Sequence, residues 1–280
     1  MLRAGESVDA VTPTAARYVL LVFVLSAPFY VFGATGYRLP GLPILPASAL
    51  MTFVPVTAAL ILRYRENGAA GAFELLKRAL DVGSLNLAGW YLVAFLFMPA
   101  VCVLEYGVLR ITGSAVPTPE FAPAAAAFQF VAFFIGAIGE EAGWQGYAYP
   151  ALRARRSAVG ATVILGVVWA LWHLIPFVQL GRKVDWIFWQ LLSTVALRFI
   201  IVWLTENTSK NIVIAVLFHT MVNVSWALFP VAGSFYDPFV TFLILAPVTG
   251  LLWILCGPAT TQLPAVLRAL RVRAPSDQSE

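Results

Sequence analysis

Eight apolar runs limit what this chain can become: about 16–34, 44–63, 88–111, 122–149, 158–180, 186–206, 211–231 and 238–256. Each approaches the roughly 20 mostly apolar residues that an α-helix needs to cross about 30 Å of hydrocarbon. Lipid offers no hydrogen bonds to an open backbone, so runs of this length cross as helices. Composition agrees. Of 280 residues, 60% are hydrophobic and 11% charged, with a mean hydropathy of +0.83, whereas a soluble domain averages about 25% charged residues. The expected fold class is therefore all-α: a polytopic membrane helical bundle of about eight transmembrane helices, forming one membrane domain over 1–280. The expected location is a cell membrane, crossed many times. No small-residue cleavage site follows the first run, which is read as a retained span.

Basic residues orient the bundle. With the N-terminus inside, the inner segments hold 13 Lys and Arg, from Arg3 and Arg17 through Arg63, Arg65, Lys77 and Arg78 to Arg268, Arg271 and Arg273. The outer segments hold four, Arg38, Arg110, Arg182 and Lys183, and Arg198 falls within a span. That asymmetry puts both termini in the cytoplasm. A pI near 9.2 then reflects topology and not nucleic acid, since no basic stripe is present. Residues 64–87 read as an amphipathic cytoplasmic connector, and 274–280 as a short disordered tail. The two cysteines, Cys102 and Cys256, lie in apolar runs with no paired spacing and are read as packing residues.

Ionisable groups cost roughly 2.5–3.5 kcal/mol each at the centre of a spanning helix, so those that occur there are informative. They are Glu105, Glu140, Glu141, His173, Arg198 and His219, with Asn223 one turn beyond His219. Singly, each has a structural reading as packing or interhelical glue, and Glu105 with Arg198 is expected to form a buried ion pair. Their concentration is less easily explained that way, because Glu140, His173, His219 and Asn223 fall on three long runs, the fourth, fifth and seventh. Trp169 and His173 are one turn apart on a shared face. Pro176 has no N–H to give the carbonyl of Trp172, so a free backbone acceptor is expected beside the imidazole. Glu140 and Glu141 differ by about 100° around the helix, while Glu141 and Gln145 are four apart and within hydrogen-bonding reach.

A carboxylate and an imidazole sharing a water can deprotonate it for attack on a carbonyl and pass the proton to a leaving amine. A second imidazole and an amide on one face can receive the developing oxyanion. Alternatively, Glu140, His173 and His219 could hold Zn²⁺ with a position open for water. The cofactor thus stays unknown, Zn²⁺ and a metal-free glutamate mechanism being equally compatible. Both options lead to hydrolysis of an amide bond within the membrane.

Three short patterns carry a resemblance. "EEAGWQ" has two glutamates, three intervening residues and then glutamine, where an arginine is usual; "WALWH" has an aromatic four residues before a histidine; "HTMVN" places an amide four residues after the second histidine. Their order and spacing resemble the type II CAAX prenyl endopeptidases and their bacterial relatives, the CPBP or Abi intramembrane proteases, with a family core over 122–231. The resemblance implies that Glu140 and His173 activate water, that His219 and Asn223 form the oxyanion site, and that Glu141, Gln145 and Trp169 support them. Gln145 stands where the motif has arginine, which leaves Glu141 protonated or in need of another cation such as Arg153 or Arg198. The implied activity is an endopeptidase acting on a lipidated peptide or membrane protein within the lipid bilayer, from a chamber open toward the cytoplasm or inner leaflet. No nucleic-acid partner is implied. The rival readings are a non-catalytic scaffold or bacteriocin-immunity protein that retains the pocket and, more remotely, a proton-coupled transporter.

Overall fold

The computed structural model describes residues 11–83, 87–120 and 122–256. The tail 274–280, the terminal arginines Arg3, Arg268, Arg271 and Arg273, and the side chain of Cys256 lie outside the described residues. Nine α-helices follow in order among them: α1 (Val11–Gly33), α2 (Val54–Leu80), α3 (Ala88–Ile111), α4 (Pro123–Gly143), α5 (Tyr149–Arg153), α6 (Ala158–Gln179), α7 (Val184–Glu206), α8 (Ile212–Leu228) and α9 (Pro238–Cys256). A two-stranded antiparallel hairpin, β1 (Arg38–Leu39) with β2 (Leu42–Pro46), and a 3₁₀ helix (Ala47–Phe53) join α1 to α2.

Six helical stretches are long and apolar enough to span a membrane, and α8 and α9 are shorter apolar helices. Eight spans were expected; six are found at spanning length among the described residues. The reason for α8 is local. Asn211 accepts a hydrogen bond from the N–H of Ile214 and caps its start, and Pro230 closely follows its last residue. Most of α8 is buried within the bundle, so its length is not set by bilayer thickness. Large apolar side chains face outward on the other helices, among them Leu20, Val103, Val131 and Leu171, as contact with acyl chains requires. The protein is a multi-pass membrane protein.

Residues 64–80, expected as a separate connector, continue α2 beyond a non-helical Gly68 at φ 64°. Only glycine takes that conformation cheaply, so the helix breaks there without ending, and Leu75 and Ala79 still reach buried positions.

α4 packs between α2 and α8, α7 packs between α6 and α9, and α3 lies along α8. The α4–α2 approach depends on Gly143, where a Cβ would collide with the backbone of Pro55 and the hydroxyl of Tyr18. Immediately afterwards the chain winds a π-helical turn over Trp144–Ala148. Such turns are rare and are frequently found at functional sites.

The buried ion pair expected between Glu105 and Arg198 does not form. Glu105 accepts from the N–H of Asp237 at 2.7 Å and the hydroxyl of Thr241 at 2.6 Å. Its carboxylate therefore sits at the start of α9, where the helix dipole favours negative charge, and it ties α3 to α9. Arg198 is engaged elsewhere. Helix periodicity identifies which polar groups share a face, but not which neighbouring helix each face meets.

Candidate active site

Glu140 lies near the end of α4, in a helix left narrow by Gly136 and Gly139, and is 6% exposed. Oε2 accepts from the Trp169 indole N–H at 2.8 Å, and Oε1 lies 3.2 Å from the Thr52 hydroxyl, which also faces the carbonyl of Gly136 at 3.0 Å. The carboxylate is thus held between the 3₁₀ helix and α6. Two adjacent glutamates must point about 100° apart, and Glu141 accordingly turns to another face of α4. It receives Arg198 of α7 in a two-point pair, Nη1 to Oε2 at 2.7 Å and Nη2 to Oε1 at 3.1 Å, with both side chains fully buried. The same Oε1 lies 2.9 Å from Nδ1 of His219. The guanidinium also rests 4.0 Å from the centre of the Trp169 ring.

This arrangement assigns the missing motif arginine. Gln145 does not bond Glu141; its amide N–H donates to the Thr205 hydroxyl at 2.6 Å. The cation comes instead from α7, one of the two sources the sequence left open. Arg153, the other, lies 3.8 Å from Glu206 on the far side of the bundle.

Hydrogen bonding fixes both imidazoles. Nδ1 of His173 is 2.8 Å from the carbonyl of Trp169. A carbonyl can only accept, so Nδ1 carries the proton and Nε2 is left with a lone pair for the cavity. Nδ1 of His219 faces a carboxylate and carries its proton for the same reason. The Trp169 ring stands edge-on to both imidazoles, with centroids at 5.3 and 5.2 Å. The carbonyl of Trp172, left free by Pro176, is taken by the Tyr30 hydroxyl at 2.9 Å. That bond holds α6 to α1 beside His173.

Glu140, Trp169, His173, His219 and Asn223 all line one cavity of about 310 Å³, while Glu141 and Gln145 are not part of its lining. His219 and Asn223 share a helix face, as their spacing requires. Thr52, Gln190 and Thr194, none of them singled out above, also line the cavity. A usable signal existed for the last two, polar residues four apart in an otherwise apolar run. Gln190 keeps a buried carbonyl oxygen without a partner among the described residues.

Zn²⁺ on Glu140, His173 and His219 can be tested against this geometry. Among the described residues no group of three or more His, Cys, Asp or Glu side chains is set to hold a metal ion. Oε2 of Glu140 is already engaged by the Trp169 indole N–H. As arranged, the three side chains do not fit one ion.

Fold and site together define a class: a multi-pass membrane protein with carboxylate, imidazole and amide groups gathered in a cavity inside its bundle. Residues 122–225 match the family described as type II CAAX prenyl endopeptidase Rce1-like. A curated relative, the CAAX prenyl protease 2 of Methanococcus maripaludis, is 29% identical over 175 residues, covering 56% of this chain and 63% of the relative. The chain thus spans less than two thirds of the length of that relative. Over these residues the chain is similar to that family and to that relative.

Proposed function

We propose that this protein is an intramembrane endopeptidase that hydrolyses a peptide bond in a lipidated or membrane-embedded substrate, using water activated by Glu140 and His173. The observation that carries this reading is the cavity itself. A carboxylate, an imidazole with a free Nε2, a second imidazole and an amide line one space inside an apolar bundle. The match of residues 122–225 to the type II CAAX prenyl endopeptidase family supports it.

In the reaction, water bound between Glu140 and Nε2 of His173 gives up a proton as its oxygen bonds to the scissile carbonyl carbon. The oxyanion formed is met by Nε2–H of His219 and the side-chain N–H of Asn223. Collapse breaks the C–N bond, the held proton passes to the leaving amine, and a new carboxylate remains. With His219 as imidazolium, the cluster is charge-balanced: Glu140 and Glu141 offset Arg198 and His219. Glu141 and Arg198 hold His219 without touching substrate. Trp169 orients Glu140 and walls the cavity.

The non-catalytic scaffold reading drew its strength from Gln145. The Arg198 pair weakens that argument, because the supporting cation is supplied from another helix. The test is purified protein in liposomes with a prenylated peptide and a single-span peptide. The parent should cleave at least one, and Glu140→Ala and His173→Ala should cleave neither. Equal cleavage by the variants refutes the assignment.

A further inference from the structure

The cavity has a definite side. Its lining includes Leu39 of the hairpin, Ala132 on the N-terminal side of Glu140, Leu180 just past α6, Trp226 near the end of α8, and Tyr236 before α9. From the catalytic cluster, every one of these leads toward the same end of the bundle. That end carries the hairpin and the α3–α4, α6–α7 and α8–α9 connections. Hydrogen bonds tie it together: Gln179 donates to the carbonyl of Tyr30 and accepts from Ser48, and the N–H of Glu120 donates to the carbonyl of Pro230.

The opposite end carries the α2–α3, α5–α6 and α7–α8 connections. It is joined by Tyr147 to Glu66, Tyr149 to Glu206 and Asn211 to the carbonyl of Asp81. Cations divide unevenly between the two ends. Among the described residues the cavity end holds Arg38, Arg110, Arg182 and Lys183, which is four. The opposite end holds Arg17, Arg63, Arg65, Lys77, Arg78, Arg153, Arg155, Arg156 and Lys210, which is nine. Lys and Arg near the ends of membrane helices are retained on the cytoplasmic face.

We propose that the cavity opens away from the cytoplasm. Its substrate is then a membrane-anchored polypeptide whose cleaved segment is presented on the extracytoplasmic side, not a lipid-modified protein held on the cytoplasmic leaflet. This reverses the mouth expected from the sequence, because that expectation fixed the orientation but not which end of the bundle the chemistry faced. The word substrate rests on the protease reading; the side of access does not.

The test uses single cysteines at exposed positions in a Cys102→Ala/Cys256→Ala background, probed with a membrane-impermeant maleimide on intact cells and after permeabilisation. Ser114→Cys and Ser234→Cys should label in intact cells, whereas Asn67→Cys and Ala154→Cys should label only after permeabilisation. The opposite pattern overturns the proposal. A second arm adds a single-span peptide to the outside of sealed right-side-out vesicles containing the unsubstituted protein, where cleavage is expected. Labelling as expected without cleavage of any peptide from either side leaves the side of access standing and counts against the protease.

Discussion

Arg198 and Glu141 form a fully buried, two-point ion pair at 2.7 and 3.1 Å, and its removal can be worked through quantitatively. Arg198→Met keeps much of the side-chain bulk but leaves the Glu141 carboxylate with only His219 beside it. Stranding one partner of a buried pair costs about 3–5 kcal/mol. Losing the guanidinium over Trp169 adds on the order of 0.5–2 kcal/mol. Glu141→Gln strands Arg198 and should cost about 3–5 kcal/mol by the same reasoning. The double variant Glu141→Gln/Arg198→Met has no charge left to strand. It should therefore be far more stable than the sum of the single losses predicts, with a coupling of about 3 kcal/mol between the two positions. Unfolding by graded SDS in mixed micelles, followed by tryptophan fluorescence, measures all four proteins. Losses that add to within about 0.5 kcal/mol would show that the pair is not energetically coupled and would refute the claim that Arg198 supports Glu141. A companion variant, Gln145→Arg/Arg198→Gln, moves the cation to the π-helical turn after α4, four residues from Glu141, and should recover part of the loss.

Two further outcomes are expected. Trp169→Phe keeps an aromatic wall but removes the indole N–H from Glu140, a bond to a charged group worth about 1.5–3 kcal/mol; kcat should fall about tenfold to a hundredfold with KM little changed, measured on the cleaved peptide. Tyr30→Phe leaves the carbonyl of Trp172 unpaired and should lower stability by about 1–3 kcal/mol in the same SDS titration.

Much of the site was legible because hydrocarbon makes polar residues conspicuous. Glu140, His173, His219 and Asn223 were each marked by their cost in an apolar run, and all four line the cavity. The proline argument also held: Pro176 frees the carbonyl of Trp172, and the structure supplies its donor, Tyr30, from a helix more than a hundred residues away in the chain. What the sequence lacked was information between helices. Face spacing allowed Gln145 to meet Glu141, yet Gln145 turns to Thr205 and Arg198 arrives from α7. Glu105 had no polar company in its own run and was assigned to Arg198; its partners, Asp237 and Thr241, lie at the start of another helix. Thr52 carried no signal, since a lone hydroxyl in an apolar helix usually bonds its own backbone.

The central claim is that Glu140 acts on water while Glu141 holds the site together. Glu140→Gln tests it most directly, because it keeps the shape and an acceptor for Trp169 but removes the base. Single-turnover cleavage and SDS unfolding should be measured on the same preparation. The account predicts a rate lowered by about 10²–10⁴-fold with stability near that of the parent. Cleavage within a few-fold of the parent by a folded Glu140→Gln protein would contradict it.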